Sequence, residues 1–423
     1  MKIHVNKFGG SILSNHKALL NLSGLLHNDS DKNIVIVSAA GRTSYWLKQA
    51  VLSAEISNLN QSEYFLNNIY LLHTNLISNL FNSDIHESCL NNINLIFLQI
   101  RKILNNISIT GEATAKTLDK VLAFGEDMIL SIITTLFTKN KEVSVLDSRD
   151  IISTDSNHGN AEIILDITRN NFTNILLPQL ANNNLIILQG FIGSDITGNT
   201  TTMGFESSNL TAALIAEFVN ANVLTYFTDV DGIYNADPKL YSNAQFIDKI
   251  DYHTAKIAGR YGLKLIYPEM IDLAENNLMK LVYRNGLEFN DKTTEINSFP
   301  KIKTSLVMTQ TVKSYKLNDT ILSDKLLHGN DILMSSISGL DNFILIKSSL
   351  NINDEFESYQ LLTIVNPHKE KIINYFFKNL SEYIENGMIV FDSGVKSDVM
   401  NVAINDKSNI KAEQIVNELC KLI

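Results

Sequence analysis

The sequence predicts an α/β protein: a mostly parallel sheet with helices on both faces fills the first two thirds of the chain, and an α+β region follows. Short runs rich in β-branched residues, each bounded by turn-forming residues, recur along that first part. These predicted strands span residues 3–7, 34–38, 185–188, 223–228 and 280–283. Between them, apolar side chains recur at helical spacing, as in Leu72, Leu76 and Leu80. Strands that alternate with helices favour a parallel sheet covered on both sides.

The domain organisation follows from the length and from a change in composition. A chain of 423 residues is too long for one compact core. A polar stretch at residues 290–303 separates the predicted sheet from a shorter pattern of strands and helices. We therefore predict one domain over residues 1–295 and a second region over residues 304–423. The second region is expected to contain strands at 342–348, 359–365, 388–392 and 399–404, with helices at 368–385 and from about 410.

Composition and charge argue against two classes of partner. The formal net charge is −10 and no long basic stripe is present, so nucleic acid is not an expected partner. The sequence contains no run of about 18 apolar residues, the length that a membrane-spanning helix needs. The first residues begin a strand pattern rather than a signal peptide. The two cysteines, Cys89 and Cys420, are far apart and outside any metal-ligand spacing, as in a reduced cytosolic protein. We therefore expect a cytoplasmic protein with no membrane contact.

The first chemical motif is Lys-Phe-Gly-Gly-Ser at residues 7–11, directly after a predicted strand and before a predicted helix. Paired glycines let backbone amides approach an anion closely, and the start of a helix adds favourable partial charge. Lys7 would then reach a transferring phosphoryl group, whose negative charge needs a nearby cation. The alternative is a glycine turn beside a surface lysine. The pattern does not match the G-x-x-x-x-G-K-[ST] sequence of P-loop proteins.

Two further motifs supply hydroxyl and carboxyl groups. Residues 38–43 read Ser-Ala-Ala-Gly-Arg-Thr at the end of a strand. Their hydroxyls suit a carboxylate or phosphate oxygen, although a plain strand-to-helix turn explains them nearly as well. Residues 124–127 read Phe-Gly-Glu-Asp and are predicted to open an apolar helix. Glu126 could bind a substrate ammonium there, or the acidic pair could simply favour the dipole of the first helical turn.

The most specific motif spans residues 228–239 and reads Thr-Asp-Val-Asp-Gly-Ile-Tyr-Asn-Ala-Asp-Pro-Lys. It ends a strand, and a loop of this kind can orient Mg²⁺-bound phosphates and place an aromatic ring beside a base. A calcium-binding EF-hand is excluded, because the fifth position of that pattern is Ile233, which cannot be a ligand. A fifth motif at residues 261–268 adds Lys264 before an apolar run, where a solvated surface lysine is the alternative.

Taken in order, these five motifs resemble those of the aspartokinases over about residues 1–285. The resemblance implies an amino-acid-kinase fold and an ATP-dependent enzyme. Aspartokinases transfer the γ-phosphoryl group of MgATP to the side-chain carboxylate of aspartate, giving an acyl phosphate. The resemblance therefore implies ATP and Mg²⁺, with the Mg²⁺ carried by the nucleotide rather than by a separate protein site. A carboxylate is already a nucleophile, so the site must chiefly bring two anions together and neutralise them.

The resemblance also assigns roles to individual residues. Lys7, Asp229 and Lys264 would carry the catalysis. ATP binding falls to one set of residues: Lys7, Phe8, Gly9, Gly10, Thr228, Asp229, Tyr234, Lys239, Lys264 and Leu265. Substrate binding falls to a second set: Ser38, Thr43, Glu126, Phe205, Ser208 and Asn209.

One segment departs from the family pattern. Aspartokinases usually read Gly-Arg-Gly-Gly-Ser-Asp-Tyr where residues 204–210 read Gly-Phe-Glu-Ser-Ser-Asn-Leu. Phe205 stands where an arginine would hold a substrate carboxylate, and Asn209 replaces an aspartate near the amino group. Three explanations are open: Arg42 or Arg149 takes over the carboxylate, the substrate is another carboxylic acid, or the protein binds ATP without catalysis. Aspartate is the substrate that we predict.

The C-terminal region resembles the paired ACT regulatory domains of aspartokinases. The elements expected from residue 342 onwards fit one βαββαβ unit, whereas residues 304–341 fit a second unit poorly. By resemblance, this region would serve regulation and dimerisation, which predicts a homodimer. A small α+β domain kept only for dimer contacts is the alternative, and the sequence identifies no effector.

Overall fold

The computed structural model describes most of the chain, in segments. The described residues are 2–25, 31–138, 143–204, 207–263, 265–288, 290–299, 305–316, 332–336, 343–347, 356–365, 369–378, 388–391, 398–407 and 411–422. They form two compact units: Met1–Gly232 with Leu273–Glu295, and Ile233–Asp272 with Ile296–Ile423. Ile233–Asp272 therefore packs with the second unit, although it lies within the predicted first domain. The predicted start of the second domain, residue 304, lies outside the described residues, and the functional division stays a prediction.

A parallel sheet forms the centre of the first unit, as the sequence predicts. Its strands are β1 Ile3–Phe8, β2 Lys32–Val37, β3 Val143–Val145, β5 Leu185–Gln189, β8 Val223–Thr228 and β12 Lys280–Asn285, with β13 Thr293–Asn297 beside β12. The spatial order is β12, β8, β1, β2, β5 and β3, and each neighbouring pair in that order is parallel. A small second sheet joins β4 Ser153–Thr154, β6 Ile192–Asp195 and β7 Thr200–Thr202. The carboxyl ends of the parallel strands consequently meet at one edge.

Helices cover both faces of this sheet. In the first unit they are α1 Gly10–Leu13, α2 His16–Leu25, α3 Thr43–Glu55, α4 Leu59–Leu80, α5 Ser83–Thr110, α6 Ala115–Thr138, α7 Ser148–Ile151, α8 Leu165–Asn171, α9 Leu177–Asn182 and α10 Ser208–Phe218, with a π-helical turn at Phe172–Leu176. Val35 and Val37 of β2 share a core cluster with residues of α3 to α6. Ile34 and Ile36, which point to the opposite face, are equally buried. Helix α10 packs against β1, β2 and β8.

Among the described helices, α6 alone is long and apolar enough to cross a membrane by length and composition. However, 67% of its apolar window is buried inside the fold. Val121, Ile129 and Ile132 are fully buried in the core that α6 forms with α3, α4 and α5. The hydrophobicity of α6 is therefore explained by its central place in the first unit.

The second unit begins with short elements. They are β9 Ile233–Tyr234, β10 Phe246–Ile247, β11 Lys249–Asp251 and α11 Tyr252–Arg260, followed by α12 Pro268–Asn276, whose residues from Leu273 onwards belong to the first unit. Strands β9 and β10 pair in antiparallel fashion. Tyr241 of the connection between them is buried with residues of the C-terminal region, and its hydroxyl lies 3.0 Å from that of Thr309.

An antiparallel sheet forms the rest of the second unit. Its strands are β14 Leu306–Lys316, β15 Ile332–Ser336, β16 Phe343–Lys347, β17 Phe356–Val365, β18 Met388–Phe391 and β19 Val399–Asn405, and its helices are α13 Lys369–Lys378 and α14 Ala412–Leu422. The spatial order is β15, β16, β14, β17, β19, β18. The described elements after residue 342 overlap the predicted ones, although β17 begins at Phe356 rather than at residue 359. Residues 368 and 379–385 of the predicted helix lie outside the described residues. Strand β14 lies inside the segment that fitted a second ACT unit poorly, yet it pairs with both β16 and β17 and is central to the sheet.

Two helical glycines provide a matched test of packing in the first unit. A Cβ at Gly125 of α6 would lie 2.9 Å from the Cβ of Ala39, whereas a Cβ at Gly24 of α2 would meet no described atom within 4 Å. We expect Gly125→Ala to lower the midpoint of thermal unfolding, because overpacking costs about 1–3 kcal/mol. Gly24→Ala should raise it, because alanine favours a helix over glycine by about 1 kcal/mol. A gain of stability in both variants would contradict the close contact of α6 with Ala39.

Candidate functional site

The loops that follow β1, β2, β5, β8 and β12 lie along the carboxyl edge of the parallel sheet. Backbone hydrogen bonds join neighbouring loops to one another. Gly9 N donates to Phe227 O at 3.2 Å, Gly190 N donates to Val37 O at 2.7 Å, and Gly286 N donates to Thr228 O at 2.9 Å. Ligands of open parallel sheets bind at this edge, so the fold concentrates the predicted site residues of the first unit where binding is expected.

The glycine turn after β1 is packed tightly against the loop after β2. A Cβ at Gly10 would lie 2.6 Å from Ala39 O, and Gly41 N donates to Gly10 O at 2.7 Å. Gly41 itself adopts a positive φ of 55°. Lys7 Nζ lies 3.9 Å from the position that a Cβ would take on Gly9. The predicted lysine therefore lies beside the predicted glycine turn.

Phe8, which the sequence assigns to the nucleotide, has its side chain in the core. It is fully buried, and its ring meets that of Phe227 edge-on with centroids 5.0 Å apart. This aromatic contact joins the carboxyl ends of β1 and β8. The side chain of Phe8 therefore cannot contact a nucleotide at the glycine turn. The prediction that Phe8 binds ATP stays open only for its backbone atoms.

Glu126 is a buried acid with one free oxygen. Glu126 is only 2% exposed, and its Oε1 accepts a hydrogen bond from Ala39 N at 2.9 Å. Oε2 is buried and has no hydrogen-bond partner among the described atoms. Burial raises the pKa of Glu126 to about 8; the Ala39 amide opposes that rise, and the charge of Asp127 adds to it. Such a carboxyl group is ready to receive a cationic or hydrogen-bonding ligand.

The position of Glu126 in its helix differs from the prediction. The Phe-Gly-Glu-Asp motif does not open a helix, because α6 begins at Ala115 and continues to Thr138. Glu126 thus lies in the middle of α6, where the dipole of a first turn cannot explain an acidic side chain. The helix dipole therefore does not account for Glu126, and its burial within α6 favours a role in binding.

Two hydroxyl groups follow β2 near Glu126. Ser38 Oγ is buried and has no partner in the described part of the chain. Thr43 is fully buried, and its Oγ1 donates to Ala40 O at 2.6 Å, where α3 begins. Ser38 therefore retains an unused hydroxyl, whereas the hydroxyl of Thr43 already stabilises the start of a helix.

The start of α10 lies beside the end of β5. A Cβ at Gly190 would lie 2.6 Å from the Cβ of Ser208, so only glycine permits this approach. Ser207 Oγ is buried and has no partner among the atoms described. The carbonyl of Asn209 accepts a hydrogen bond from the hydroxyl of Tyr226 at 3.3 Å. Phe205, the departure that matters most, lies outside the described residues.

Arg149 is one of the two cations that could replace the missing arginine, and it is already bound. Its guanidinium donates to Asp127 through two nitrogens, at 2.8 and 3.2 Å. It also donates to Asp147 Oδ2 at 2.8 Å and to Thr200 Oγ1 at 3.1 Å. Gln189 donates to the same Asp127 at 3.1 Å. The network braces the residue next to Glu126 and leaves Arg149 poorly placed to receive a substrate carboxylate.

Arg42 is the other cation. It is exposed at the residue before α3, and its guanidinium carbon lies 4.5 Å from the centroid of the Tyr45 ring. A cation over an aromatic ring at an exposed position gains only about 0.5–1 kcal/mol. Arg42 therefore stays available to a ligand more readily than Arg149 does.

The loop after β8 contains Thr228 and Asp229, as the sequence predicts. Thr228 Oγ1 donates to Val230 O at 3.0 Å, and Asp229 is exposed. The sequence assigned no role to Asp231, whose Oδ1 accepts hydrogen bonds from Asn285 Nδ2 at 3.0 Å and Asn290 Nδ2 at 2.8 Å. These hydrogen bonds lower the pKa of Asp231. Asp231 thereby fixes the loop after β12 to the loop after β8.

The remaining nucleotide residues belong to the second unit. The Tyr234 ring meets that of Phe246 edge-on with centroids 5.6 Å apart. The backbone amide of Lys239 donates to Asp237 Oδ1 at 2.9 Å, and Leu265 is half-buried. Lys264 lies outside the described residues. The assignment of these four residues to ATP stays a prediction.

The described residues contain no group of three or more His, Cys, Asp or Glu side chains arranged to hold a metal ion. A metal that binds chiefly through the phosphates of a nucleotide needs only one or two protein carboxylates. The exposed Asp229, at the end of β8, has the chemistry of such a ligand.

The raised pKa of Glu126 predicts a pH-dependent stability. Between pH 4.5, the ordinary pKa, and about pH 8, the folded chain holds a proton that the unfolded chain has lost. The free energy of unfolding should therefore fall as pH rises through this range. Glu126→Gln removes the titrating carboxyl group, so the variant should melt at a higher temperature than the parent at pH 8, with a smaller difference near pH 4.5. Glu112→Gln, at an exposed glutamate, is the control. Parallel profiles of melting temperature against pH for the parent, Glu126→Gln and Glu112→Gln would refute a raised pKa at Glu126.

Comparisons with known proteins identify the family of the first part of the chain. Residues 2–285 match the amino acid kinase family. Lysine-sensitive aspartokinase 3 of Escherichia coli (strain K12) is 31% identical over 276 residues, which cover 63% of this chain and 58% of the relative. An aspartokinase of Chlamydia pneumoniae is 28% identical over 271 residues, covering 63% and 56%. The chain thus matches less than two thirds of the length of these relatives.

A solved structure extends the comparison to the whole chain. The structure of E. coli aspartokinase III in complex with aspartate and ADP (R-state) superimposes with a TM-score of 0.82 over 100% of both chains, at 20% identity. This likeness supports the fold of both regions, including the α+β part after residue 304. Because the family match extends over two thirds of the sequence, the chain belongs to the amino acid kinase family.

Proposed function

We propose that this protein is an aspartate kinase, which transfers the γ-phosphoryl group of MgATP to the side-chain carboxylate of L-aspartate and forms 4-phospho-L-aspartate. The observation that carries the proposal is the buried carboxyl of Glu126, with one oxygen lacking a partner among the described atoms, next to a glycine turn that carries Lys7. The carboxyl of Glu126 suits an ammonium ion, and the glycine turn with Lys7 suits a phosphoryl group. An amino-acid kinase needs both within one site.

The phosphoryl end of the site is assigned to Lys7, Gly9 and Gly10. Gly10 carries no side chain in the space beside Ala39, so main-chain amides of this turn can approach an anion. The Lys7 ammonium, close to Gly9, would neutralise charge that develops on the transferred group. Asp229 is proposed to orient the Mg²⁺ that accompanies the nucleotide. The bound metal would neutralise phosphate charge and polarise the γ-phosphoryl group.

The amino-acid end is assigned to Glu126, with Ser38 and Thr43 close to it in the chain after β2. An ammonium ion at Oε2 of Glu126 would complete its hydrogen bonding and offset the cost of burying its charge. The pKa of about 8 means that Glu126 must lose its proton to form this ion pair. Substrate binding should therefore release a proton from the protein below pH 8.

The transfer itself needs no general base. An oxygen of the aspartate side-chain carboxylate forms a bond to the γ-phosphorus, the bond from that phosphorus to the bridging oxygen breaks, and ADP leaves with the electron pair. The protein holds two anionic groups in line and neutralises their charge. We assign this to Lys7 and to Lys264, and we assign nucleotide contacts to Thr228, Tyr234, Lys239 and Leu265.

Further parts of the proposal rest on the relatives. The relatives are named aspartokinases, and the structural neighbour is described with aspartate and ADP bound. We propose that residues 1–295 form the catalytic domain and residues 304–423 an ACT-like region for regulation and dimerisation. The protein would then be a cytoplasmic homodimer that acts in amino-acid biosynthesis.

A second candidate is a kinase for a different carboxylic or amino acid. It is favoured by Phe205 and Asn209, which replace an arginine and an aspartate of the aspartokinase pattern. The engagement of Arg149 by two carboxylates also favours it, because this removes one substitute for the arginine.

One assay separates the candidates. The purified protein should consume ATP in the presence of Mg²⁺ and L-aspartate, and hydroxylamine should trap the acyl phosphate as a hydroxamate. Glutamate, N-substituted aspartates and plain dicarboxylates form the comparison panel. Preferential turnover of another acid would favour the second candidate. Binding of ATP without turnover of any acid would indicate a regulatory partner and overturn the proposal.

The role of Lys7 predicts a large kinetic effect. Lys7→Ala should lower kcat by about 100-fold or more, the usual size for loss of a group that stabilises charge in the transition state. The variant should retain its thermal unfolding midpoint within the range of the control, Lys17→Ala, which removes an exposed lysine of α2 in the same unit. Normal turnover by Lys7→Ala would exclude Lys7 from catalysis.

A further inference from the structure

Asp119 is a second buried acid of α6, and none of the sequence motifs contains it. It lies about two helical turns before Glu126, on the same side of the helix, and it is fully buried. Its Oδ1 accepts a hydrogen bond from Thr202 Oγ1 at 2.5 Å, and its Oδ2 accepts one from Gly159 N at 3.0 Å. His158 Nδ1 lies 2.8 Å from the same Oδ2. Both oxygens of this acid are therefore bonded within the chain, in contrast to those of Glu126.

Strand β7 is attached to α6 at both of its ends. At one end, Thr202 donates to Asp119. At the other end, Arg149 Nε donates to Thr200 Oγ1 at 3.1 Å, and the same guanidinium donates to Asp127 of α6. Hydrogen bonds to a buried carboxylate are strong, and a partner lost there is costly. The two acids of α6 therefore determine where β7 lies.

β7 leads directly into residues 203–207, the connection to α10. Gly204 of this connection adopts a positive φ of 85°, and a Cβ there would lie 2.8 Å from Asn160 Oδ1. Ala161 N donates to Thr202 O at 3.0 Å. The loop that meets the buried acid of α6 therefore also packs against the start of the connection.

We propose that Asp119 is a positioning residue for the acid-substrate end of the site. Through Thr202 and the loop at residues 158–160, it fixes the connection at residues 203–207 relative to Glu126 on the same helix. The inference rests on the proposed function, since it takes α6 and this connection to hold one substrate. Asp119 acts through these neighbours, because it is fully buried and both of its oxygens are occupied. Misplacement of a substrate contact by about 1 Å can lower a rate about 100-fold.

The nucleotide end of the site has separate attachments. Gly9 N donates to Phe227 O after β8, and Gly10 O accepts from Gly41 N after β2. The glycine turn beside Lys7 is thus held by loops other than the one that contacts the buried acid. Loss of the Asp119 attachments should therefore affect the acid substrate and spare MgATP.

Thr202→Val removes one attachment at little change in shape. Steady-state kinetics are measured with L-aspartate, or with the acid of the comparison panel that the parent turns over best. The KM for the acid should rise about tenfold, the fold-change that corresponds to one hydrogen bond to a charged group. The KM for MgATP should stay at the parent value. Thr202→Ser, which restores a hydroxyl, should return the KM for the acid towards that of the parent.

Thr201→Val is the matched control. Thr201 lies in the same strand and is equally buried, but it points to the opposite face, where its hydroxyl lies 2.7 Å from that of Thr154. Thr201→Val and Thr202→Val each lose one buried hydrogen bond, so both should melt at a lower temperature than the parent. Only Thr202→Val should raise the KM for the acid.

A second variant removes a partner of Asp119 outside β7. His158→Ala should raise the KM for the acid in the same direction as Thr202→Val and should leave the KM for MgATP unchanged. Because His158 belongs to a loop rather than to a strand, this variant gives the answer even where Thr202→Val does not fold.

Three results would overturn the inference and leave the proposed function intact. They are an equal rise in the KM for the acid in Thr201→Val and Thr202→Val, a parallel rise in the KM for MgATP, and an unchanged KM for the acid in both Thr202→Val and His158→Ala. Each would reduce Asp119 to a residue that only stabilises the fold. Failure of the parent to turn over any acid would instead overturn the proposed function and this inference together.

Discussion

The contact between the carboxyl of Glu126 and the amide of Ala39 is the interaction on which the site depends. It joins the middle of α6 to the loop after β2, and it requires the neighbouring Gly125 to have no side chain, because Ala39 fills that space. A charged group in this position would be costly, so burial raises its pKa to about 8. The same geometry that holds the acid in the core leaves one of its oxygens for a ligand.

Incomplete hydrogen bonding is a common feature of this edge of the sheet. Ser38, Glu126 and Ser207 each have a buried oxygen with no partner in the described chain. Buried polar groups are usually satisfied, and each exception reduces the stability of the free protein. A ligand with ammonium and carboxylate groups would satisfy these atoms together. Binding of such a ligand would therefore offset a loss of stability that the free protein carries.

The loss of the family arginine changes how a carboxylate can be held. One of the two arginines suggested as substitutes, Arg149, instead holds Asp127, which follows Glu126 along α6. Asp231 plays a comparable part at the other end of the edge, where it secures the loop after β12. Both charged side chains thus position loops, whereas Ser38 and Glu126 each retain a buried oxygen with no partner among the described atoms.

Sequence patterns predicted the parallel sheet, five of its six described parallel strands and the motifs at their ends, because strand periodicity and glycine turns are local features. The short strand β3 was not predicted. The sequence also predicted Glu126 as a substrate-binding residue, although it placed that residue at a helix start. Only the tertiary structure shows that Arg149 forms ion pairs with Asp127 and Asp147 and that Ser207 Oγ has no hydrogen-bond partner among the described atoms. It also shows that β14 is central to the antiparallel sheet of the second unit. These properties depend on which distant segments meet, and spacing along the chain does not encode that.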